Sequence, residues 1–427
     1  MSQQAEIKSS GIRSLVLSSI AIILEWFDFL IFGFYAVYIS KLFFPFQNET
    51  NSLITTFLIF GISFLFRPLG ALVISSIGDR YGRKNALILT VILMTLPTFL
   101  IGVLPTYSQI GIAATVLIVL LRIVQGFSLG GERSSTLSIL VEIAPQGSRG
   151  LYTVFAGLST TLGIILASLV CGLISSQLTE QQMLDYGWRI PFIMGIFTGF
   201  AVYFLRKHLD ESAKFREVKS SDGLSERPIY EALNSYRKQV VITLFTTVMF
   251  AVGFYLIFVY LITFSVKYGN MDLSSALTMN TVNMFIGTIF LPFFGHLSDR
   301  FGRRPFLLLG ALGTAVSPFI LFTTFSGESY YLKFLVQFVS GLMLFIYAAG
   351  LYPFLVELFP TKVRMTGLSL GHVTAFSIFG GSAPFIATYL IEKSGDYNLV
   401  SYYLAATAIV SLLAVFSTGE TYKSELK

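Results

Sequence analysis

Charge is what this 427-residue chain has least of. Asp, Glu, Lys and Arg together make up 12% of it, about half the share in an ordinary soluble protein. That scarcity excludes a conventional water-soluble enzyme, and a 54% hydrophobic content excludes a disordered polymer. Cysteine is nearly absent. Cys171 stands alone, so no disulfide framework, iron–sulfur cluster or cysteine-based zinc site is expected. The three histidines, His208, His296 and His372, are too scattered for a metal site. No phosphate-binding glycine loop, nucleophile elbow or metal motif occurs, and the chain is read as neither an enzyme nor a cofactor protein. The formal net charge of +6 does not indicate a nucleic-acid partner, because the positive residues lie in short loops between apolar segments.

What is present is apolar and aromatic: 42 Phe, 21 Tyr and a mean hydropathy of +0.74. A membrane span needs about 20 mostly apolar residues. Twelve candidates stand at about 14–40, 52–77, 86–104, 111–141, 150–174, 190–205, 239–266, 275–298, 305–325, 331–356, 365–391 and 398–418. Of the 29 Lys and Arg, 21 fall on the side that holds both termini and the even-to-odd loops, 5 fall on the other, and 3 lie within spans. The positive-inside bias therefore predicts that both termini are cytoplasmic. The longest polar stretch, 206–238, divides the chain into halves at 1–205 and 239–427, and it reads as a solvated linker with one surface helix.

The halves repeat one another. Gly78-Asp79-Arg80-Tyr81-Gly82-Arg83-Lys84 follows span 2, and Ser298-Asp299-Arg300-Phe301-Gly302-Arg303-Arg304 follows span 8. Glu142-x-x-Pro145-x-x-x-Arg149 follows span 4, and Glu357-x-x-Pro360-x-x-x-Arg364 follows span 10. Two motifs in corresponding loops at nearly equal offsets mark an internal duplication. Parallel six-span halves belong to transporters, with the solute site near the midplane between them.

The Asp-Arg-x-Gly-Arg loops resemble motif A of the major facilitator superfamily. The ordered set Glu25-Trp26-Phe27-Asp28-Phe29, Arg67-Pro68-Leu69-Gly70, Gln125 to Glu132, Gly187 to Phe192, Glu357 to Thr361 and Ile378 to Gly381 resembles its metabolite:proton symporter family. That family includes proline/betaine, α-ketoglutarate, citrate and shikimate permeases. The resemblance implies an all-α polytopic membrane protein of twelve helices in two pseudo-symmetric halves. It also implies two loop latches, Asp79, Arg83 and Glu142 in the first half and Asp299, Arg303 and Glu357 in the second. Where the family has a non-basic residue after Gly-Gly-Glu, this chain has Arg133.

Six charged residues lie within spans: Glu25, Asp28, Arg67, Arg122, Glu132 and Arg133. Each is costly against lipid and is expected to face protein or a water-filled cavity. Glu25 and Asp28 share a face of span 1 at i, i+3, and Arg122 and Arg133 stand about three turns apart on span 4, with Gln125 beside that stripe. Three arginines against three carboxylates become a net positive site when one carboxylate takes a proton, which suits a carboxylate-bearing solute. Asp28, Glu25 and Glu132 are the proton-coupling candidates. Arg122, Arg133 and Gln125 are the solute-binding candidates, and Arg67 reads as a structural partner. Trp26, Tyr255 and Tyr347 supply aromatic faces that would suit a quaternary ammonium. The reading is a proton-coupled symporter of the inner membrane, importing an organic acid or a zwitterion such as proline or betaine. Its partners are then the solute, the proton and the bilayer, no cofactor is needed beyond the proton gradient, and a monomer is the expected working unit. The alternatives are an efflux antiporter of the same superfamily or a membrane osmosensor or receptor. Span 5 lacks the proline of the antiporter motif.

Overall fold

The computed structural model describes residues 19–46, 48–81, 83–130, 137, 140–141, 144, 147–207, 228–325, 327, 329–360 and 363–423. The side chains of 75–81, 83–87, 206 and 228 lie outside the description as well. Among the described residues there are helices and no strands. This is what lipid demands of an apolar chain, since every backbone N–H and C=O must find its partner within the segment.

Among the described residues the chain runs as a series of helical segments, eight of them long and apolar enough to cross a membrane, or ten with each bent pair taken as one span. They are α1 (Ser19–Phe34, continuing past a 61° bend as Ala36–Phe43), α2 (Glu49–Leu65, then Arg67–Tyr81), α3 (Arg83–Val103) and α4 (Ile112–Ser128). Next come α5 (Arg149–Gln177) and α6 (Glu180–Gly187, bent by 41° into Arg189–Leu205). A short surface helix, Pro228–Ser235, precedes α7 (Arg237–Tyr268) and α8 (Leu273–Phe301). The remainder are α9 (Arg304–Phe325), α10 (Tyr330–Glu357), α11 (Arg364–Ser394) and α12 (Asn398–Phe416). Polar caps start several of them. Asn48 accepts from Thr50 N–H, Asp272 from Ser275 N–H and Ser329 from Leu332 N–H, which satisfies donors left over at helix starts.

Two expectations about the spans change. Span 1 is not one straight rod: the helix breaks at Tyr35, whose hydroxyl donates to the Cys171 carbonyl of α5 at 3.0 Å. In span 4, expected over 111–141, the helix gives way to a turn at Leu129 and Gly130. The α4 helix ends at Ser128, in the glycine-containing run Gly126 to Gly131, which is poor in helix propensity.

The two halves meet along α2 against α11 and α5 against α8. At the second contact the backbones nearly touch. A Cβ on Gly150 would stand 2.6 Å from the Gly295 carbonyl oxygen, so no larger residue fits. Farther along, Thr281 donates to Ser168, and Ser168 to the Leu277 carbonyl. In α7 and α11 the helix widens into π-turns at Leu256–Tyr260, Ser369–Val373 and Phe376–Gly380, a local geometry often found at functional positions.

Candidate functional site

The centre of the first half is polar and buried. Arg122 on α4 is fully enclosed. Its Nη1 donates to Gln125 Oε1 at 2.8 Å and to the Phe29 carbonyl at 3.3 Å. Phe29 and Phe32 each lie 4.4 Å from its guanidinium, and Phe60 lies at 5.5 Å. Its Nε and Nη2 have no hydrogen-bond partner among the described residues. A buried guanidinium with donors unmade is held at a cost, and a carboxylate is the group that best completes it.

From Arg122 a polar chain runs toward α1 and α6. Gln125 Nε2 donates to Thr98 Oγ1 at 2.7 Å, and Thr98 donates onward to the Met94 carbonyl at 2.8 Å. Thr98 and Asp28 both abut Gly195 of α6: a Cβ there would lie 2.6 Å from Thr98 Cγ2 and 3.3 Å from Asp28 Oδ1. Asp28 is 2% exposed. Its carboxylate oxygens each lie 3.0 Å from the Thr198 hydroxyl, and no ion pair to it occurs among the described residues. Glu25, one turn earlier, is also buried. Arg67 on α2 stacks over Phe64 at 3.8 Å and over Phe29 at 4.9 Å, so Phe29 contacts both buried guanidinium groups.

Between the halves lies a narrow cleft whose walls include Trp26, Thr160, Thr161, Phe250, Tyr352 and Phe376. Arg122 does not reach its surface. The ring of Phe29 stands beside Arg122, and Trp26 on the cavity wall packs edge-on to Phe29 at 6.2 Å. Of the aromatic candidates, only Trp26 lines this space. Tyr255 packs among Phe60, Phe64 and Phe376. Tyr347 gives its hydroxyl to the Thr246 carbonyl at 2.6 Å, and Tyr352 takes the wall position instead.

Asp299, Arg303 and Glu357 come together on the face that carries the repeated loops. Arg303 Nη1 meets Asp299 Oδ1 at 2.9 Å, and its Nη2 and Nε meet the two Glu357 oxygens at 2.9 and 3.3 Å. Burial disfavours the Arg303 charge, but the Glu357 and Asp299 carboxylates outweigh burial and hold its titration above the ordinary value. Asp299 accepts from Gly150 N–H at 2.7 Å and Leu151 N–H at 2.9 Å, so it caps the start of α5 in the other half. Both the orphan donors and the dipole of that helix end favour an anion. On the opposite face, Lys267 of α7 bonds Thr50 of α2, and Asn48 donates to Glu392 at 3.2 Å. The halves are thus linked on both faces.

Glu132, Arg133 and Glu142 lie outside the described residues, as do the side chains of Asp79 and Arg83. Sequence reasoning missed four residues. Thr198 carried a usable signal, being the only aliphatic hydroxyl in 190–205. Thr98 is one of several threonines in its span and carried none. Glu420 and Thr421 join the second-half loops from the C-terminal segment: Glu420 accepts from Arg303 and Arg304 N–H, and Thr421 donates to Glu357 at 2.6 Å.

Residues 14–427 match the family described as sugar (and other) transporter. The chain belongs to that family. It is 35% identical to the citrate-proton symporter of Klebsiella pneumoniae, over 92% of this chain and 88% of that protein. It is 30% identical to the proline/betaine transporter of Escherichia coli (strain K12), over 97% and 85%. The fold is that of the xylose transporter XylE from E. coli in a partially occluded inward-open conformation, with a TM-score of 0.76, 17% identity, and 98% and 100% of the two chains covered. As a member of that transporter family, with the major facilitator fold, the protein is a polytopic transporter and not an enzyme.

Proposed function

We propose that the protein is a proton-coupled symporter importing a small carboxylate-bearing solute, an organic acid or a zwitterion, by alternating access. The observation that carries this reading is Arg122, enclosed with two nitrogens unbonded among the described residues and tied through Gln125 and Thr98 toward a buried Asp28 that makes no ion pair among them. An anion completes Arg122, and a proton on Asp28 neutralises a buried carboxylate that makes no ion pair among the described residues. The relatives' names, a citrate-proton symporter and a proline/betaine transporter, support both the coupling ion and the solute class.

In this reading Asp28 carries the transported proton, with Glu25 and Glu132 as neighbouring acids. Arg122, Gln125 and Arg133 bind the carboxylate, and Trp26, Tyr255 and Tyr347 shape the aromatic surroundings. The halves 1–205 and 239–427 rock about the site, joined by 206–238. Asp299, Arg303 and Glu357, with Asp79, Arg83 and Glu142 as their counterparts, hold the loop face closed. The lysine and arginine bias puts that face and both termini in the cytoplasm, with the protein in the inner membrane and working as a monomer on solute and proton alone.

The test is uptake by proteoliposomes of labelled citrate, α-ketoglutarate, proline and betaine, with and without a pH gradient. At least one solute accumulates only with the gradient, and Asp28→Asn abolishes that accumulation while leaving solute exchange. Gradient-independent uptake of every solute by the wild type, or normal accumulation by Asp28→Asn, defeats the respective part of the reading.

A further inference from the structure

We infer that Thr198 on α6 is the positioning residue that sets the proton affinity of Asp28, by moving one hydroxyl hydrogen between two acceptors. The inference rests on Asp28 as the proton carrier and names the group that governs its titration. The Thr198 hydroxyl lies 3.0 Å from both Asp28 oxygens and 2.8 Å from the Gly195 carbonyl, one turn back on its own helix. A threonine hydroxyl has a single hydrogen and two lone pairs. It cannot donate to Asp28 and to Gly195 at once.

The two protonation states of Asp28 resolve this in different ways. When Asp28 is protonated, its own O–H donates to Thr198 Oγ1, and Thr198 donates to the Gly195 carbonyl, the local bond threonine makes in helices. When Asp28 is ionised, it draws the Thr198 hydrogen to itself, and the Gly195 carbonyl loses that bond. In the first state both hydroxyl hydrogens and the Gly195 carbonyl are bonded, while the other carboxyl oxygen receives nothing from Thr198. In the second, a charge-assisted bond replaces two neutral ones. The absence of a Cβ at Gly195 lets the carboxylate approach α6 this closely, since an added Cβ would lie 3.3 Å from Oδ1.

The other groups around Asp28 are charged or already committed. Glu25 is one turn away on α1, Arg67 projects from α2 onto the Phe29 ring, and Arg122 of α4 donates to the Phe29 carbonyl. Thr98 of α3 is occupied by Gln125 and Met94. Thr198 is therefore the direct hydrogen-bonding partner of the carboxylate among the described residues.

Removing the hydroxyl harms the ionised form more than the neutral one, because a bond to a charged acceptor is the stronger. The full chain reconstituted in lipid, followed by infrared difference spectroscopy of the protonated carboxyl band with Asp28→Asn as the blank, reads this without any transported solute. In Thr198→Val the Asp28 midpoint moves to higher pH by about one unit or more, roughly a tenfold gain in proton affinity. Thr198→Ser brings it back to the wild-type position. Thr198→Ala, which also lacks the hydroxyl but adds no bulk, repeats the Val shift if the Val protein packs poorly. A wild-type midpoint in the variants lacking the hydroxyl overturns the role of Thr198 while leaving Asp28 as carrier. A wild-type spectrum with no band that Asp28→Asn removes at any pH overturns the carrier reading, and this inference with it.

Discussion

The two halves share a fold and a pair of loop motifs, yet they spend their buried polar groups in opposite ways. In the first half the centre is ionic: Glu25, Asp28, Arg67 and Arg122 lie among phenylalanine rings, joined to neutral Gln125, Thr98 and Thr198. In the second half the buried contacts among α7, α8 and α10 run through neutral amides. Gln337 of α10 donates to Asn280 Oδ1 at 3.0 Å and to the Ile257 carbonyl in the π-turn of α7, and it accepts from Asn283. The second half keeps its buried ion pairs at the loop end, in Arg303 with Asp299 and Glu357. A buried charge with unmade donors can answer a ligand, whereas a neutral amide cluster chiefly holds helices together. On the proposed reading, the difference gives the chemistry to the first half and mechanical closure to the second.

The largest effect is expected where that closure is ionic. Glu357→Gln leaves Arg303, 1% exposed, with only one of its two carboxylates. Breaking a buried pair from one side costs about 3–5 kcal/mol. Cysteines placed along α5 and α8 near the loop face should become more accessible to a thiol reagent from that side, and transport should slow while solute affinity changes little. Unchanged accessibility would remove the latch from the second half and blunt the contrast between the halves.

Next comes the ionic centre itself. Arg122→Ala should weaken solute binding by about tenfold or more, since a charge-assisted contact to a carboxylate is worth about 1.5–3 kcal/mol. Arg122→Lys keeps the charge but loses the planar fork and should fall between. Competition among citrate, proline and betaine in each variant checks both the size of the loss and its dependence on solute charge. An unaltered affinity and competition order would mean that Arg122 is scaffold, and the chemistry of the first half would have to rest elsewhere.

How much of this was legible beforehand follows the same division. Apolar spans and the second-half loop triad could be read because they depend on local composition and spacing: Asp299 and Arg303 stand four residues apart around Gly302, and their partner Glu357 sits in the other repeated motif. Buried charges were also legible, since few apolar spans tolerate them. What could not be read was direction. Asp28 was paired in expectation with Glu25 and span 4, yet its carboxylate turns to Thr198 on α6, a contact 170 residues away in sequence. The end of α4 at Ser128 and the break at Tyr35 arise from tertiary contacts and glycine content, which hydropathy does not register. The π-turns of α7 and α11 have no hydropathy signature either.

The neutral cluster offers a control for the ionic centre. Gln337→Leu should strip donors from Asn280 and Ile257 and an acceptor from Asn283, at roughly 0.6–2 kcal/mol, the range for interhelical hydrogen bonds in membranes. Thermal stability of the solubilised protein should drop, while the pH dependence of uptake stays that of the wild type. A shift in the pH profile would show that the second half also takes part in proton handling.

The smallest effect is expected at Glu420, where the C-terminal segment meets the second-half latch. Gly302 turns the α8–α9 loop at a φ of 95°, a conformation that favours glycine, and Glu420 lies against it. Its carboxylate accepts from Arg303 N–H at 2.9 Å and Arg304 N–H at 3.0 Å, capping α9. Partial burial pushes the Glu420 titration up, but bonds from four backbone N–H groups pull it below the usual glutamate value. A carboxylate depressed in the folded state stabilises the fold above its unfolded value, about 4.3, and that contribution disappears as pH falls through the folded value. Glu420→Gln should therefore lower thermal stability at neutral pH by about 0.3–1 kcal/mol, the scale of an exposed charge at a helix start. The gap between wild type and variant should narrow as the pH drops below the glutamate range. A gap that persists in acid would mean the side chain acts by shape and hydrogen bonding alone, with its charge adding nothing to the closure that sets the second half apart.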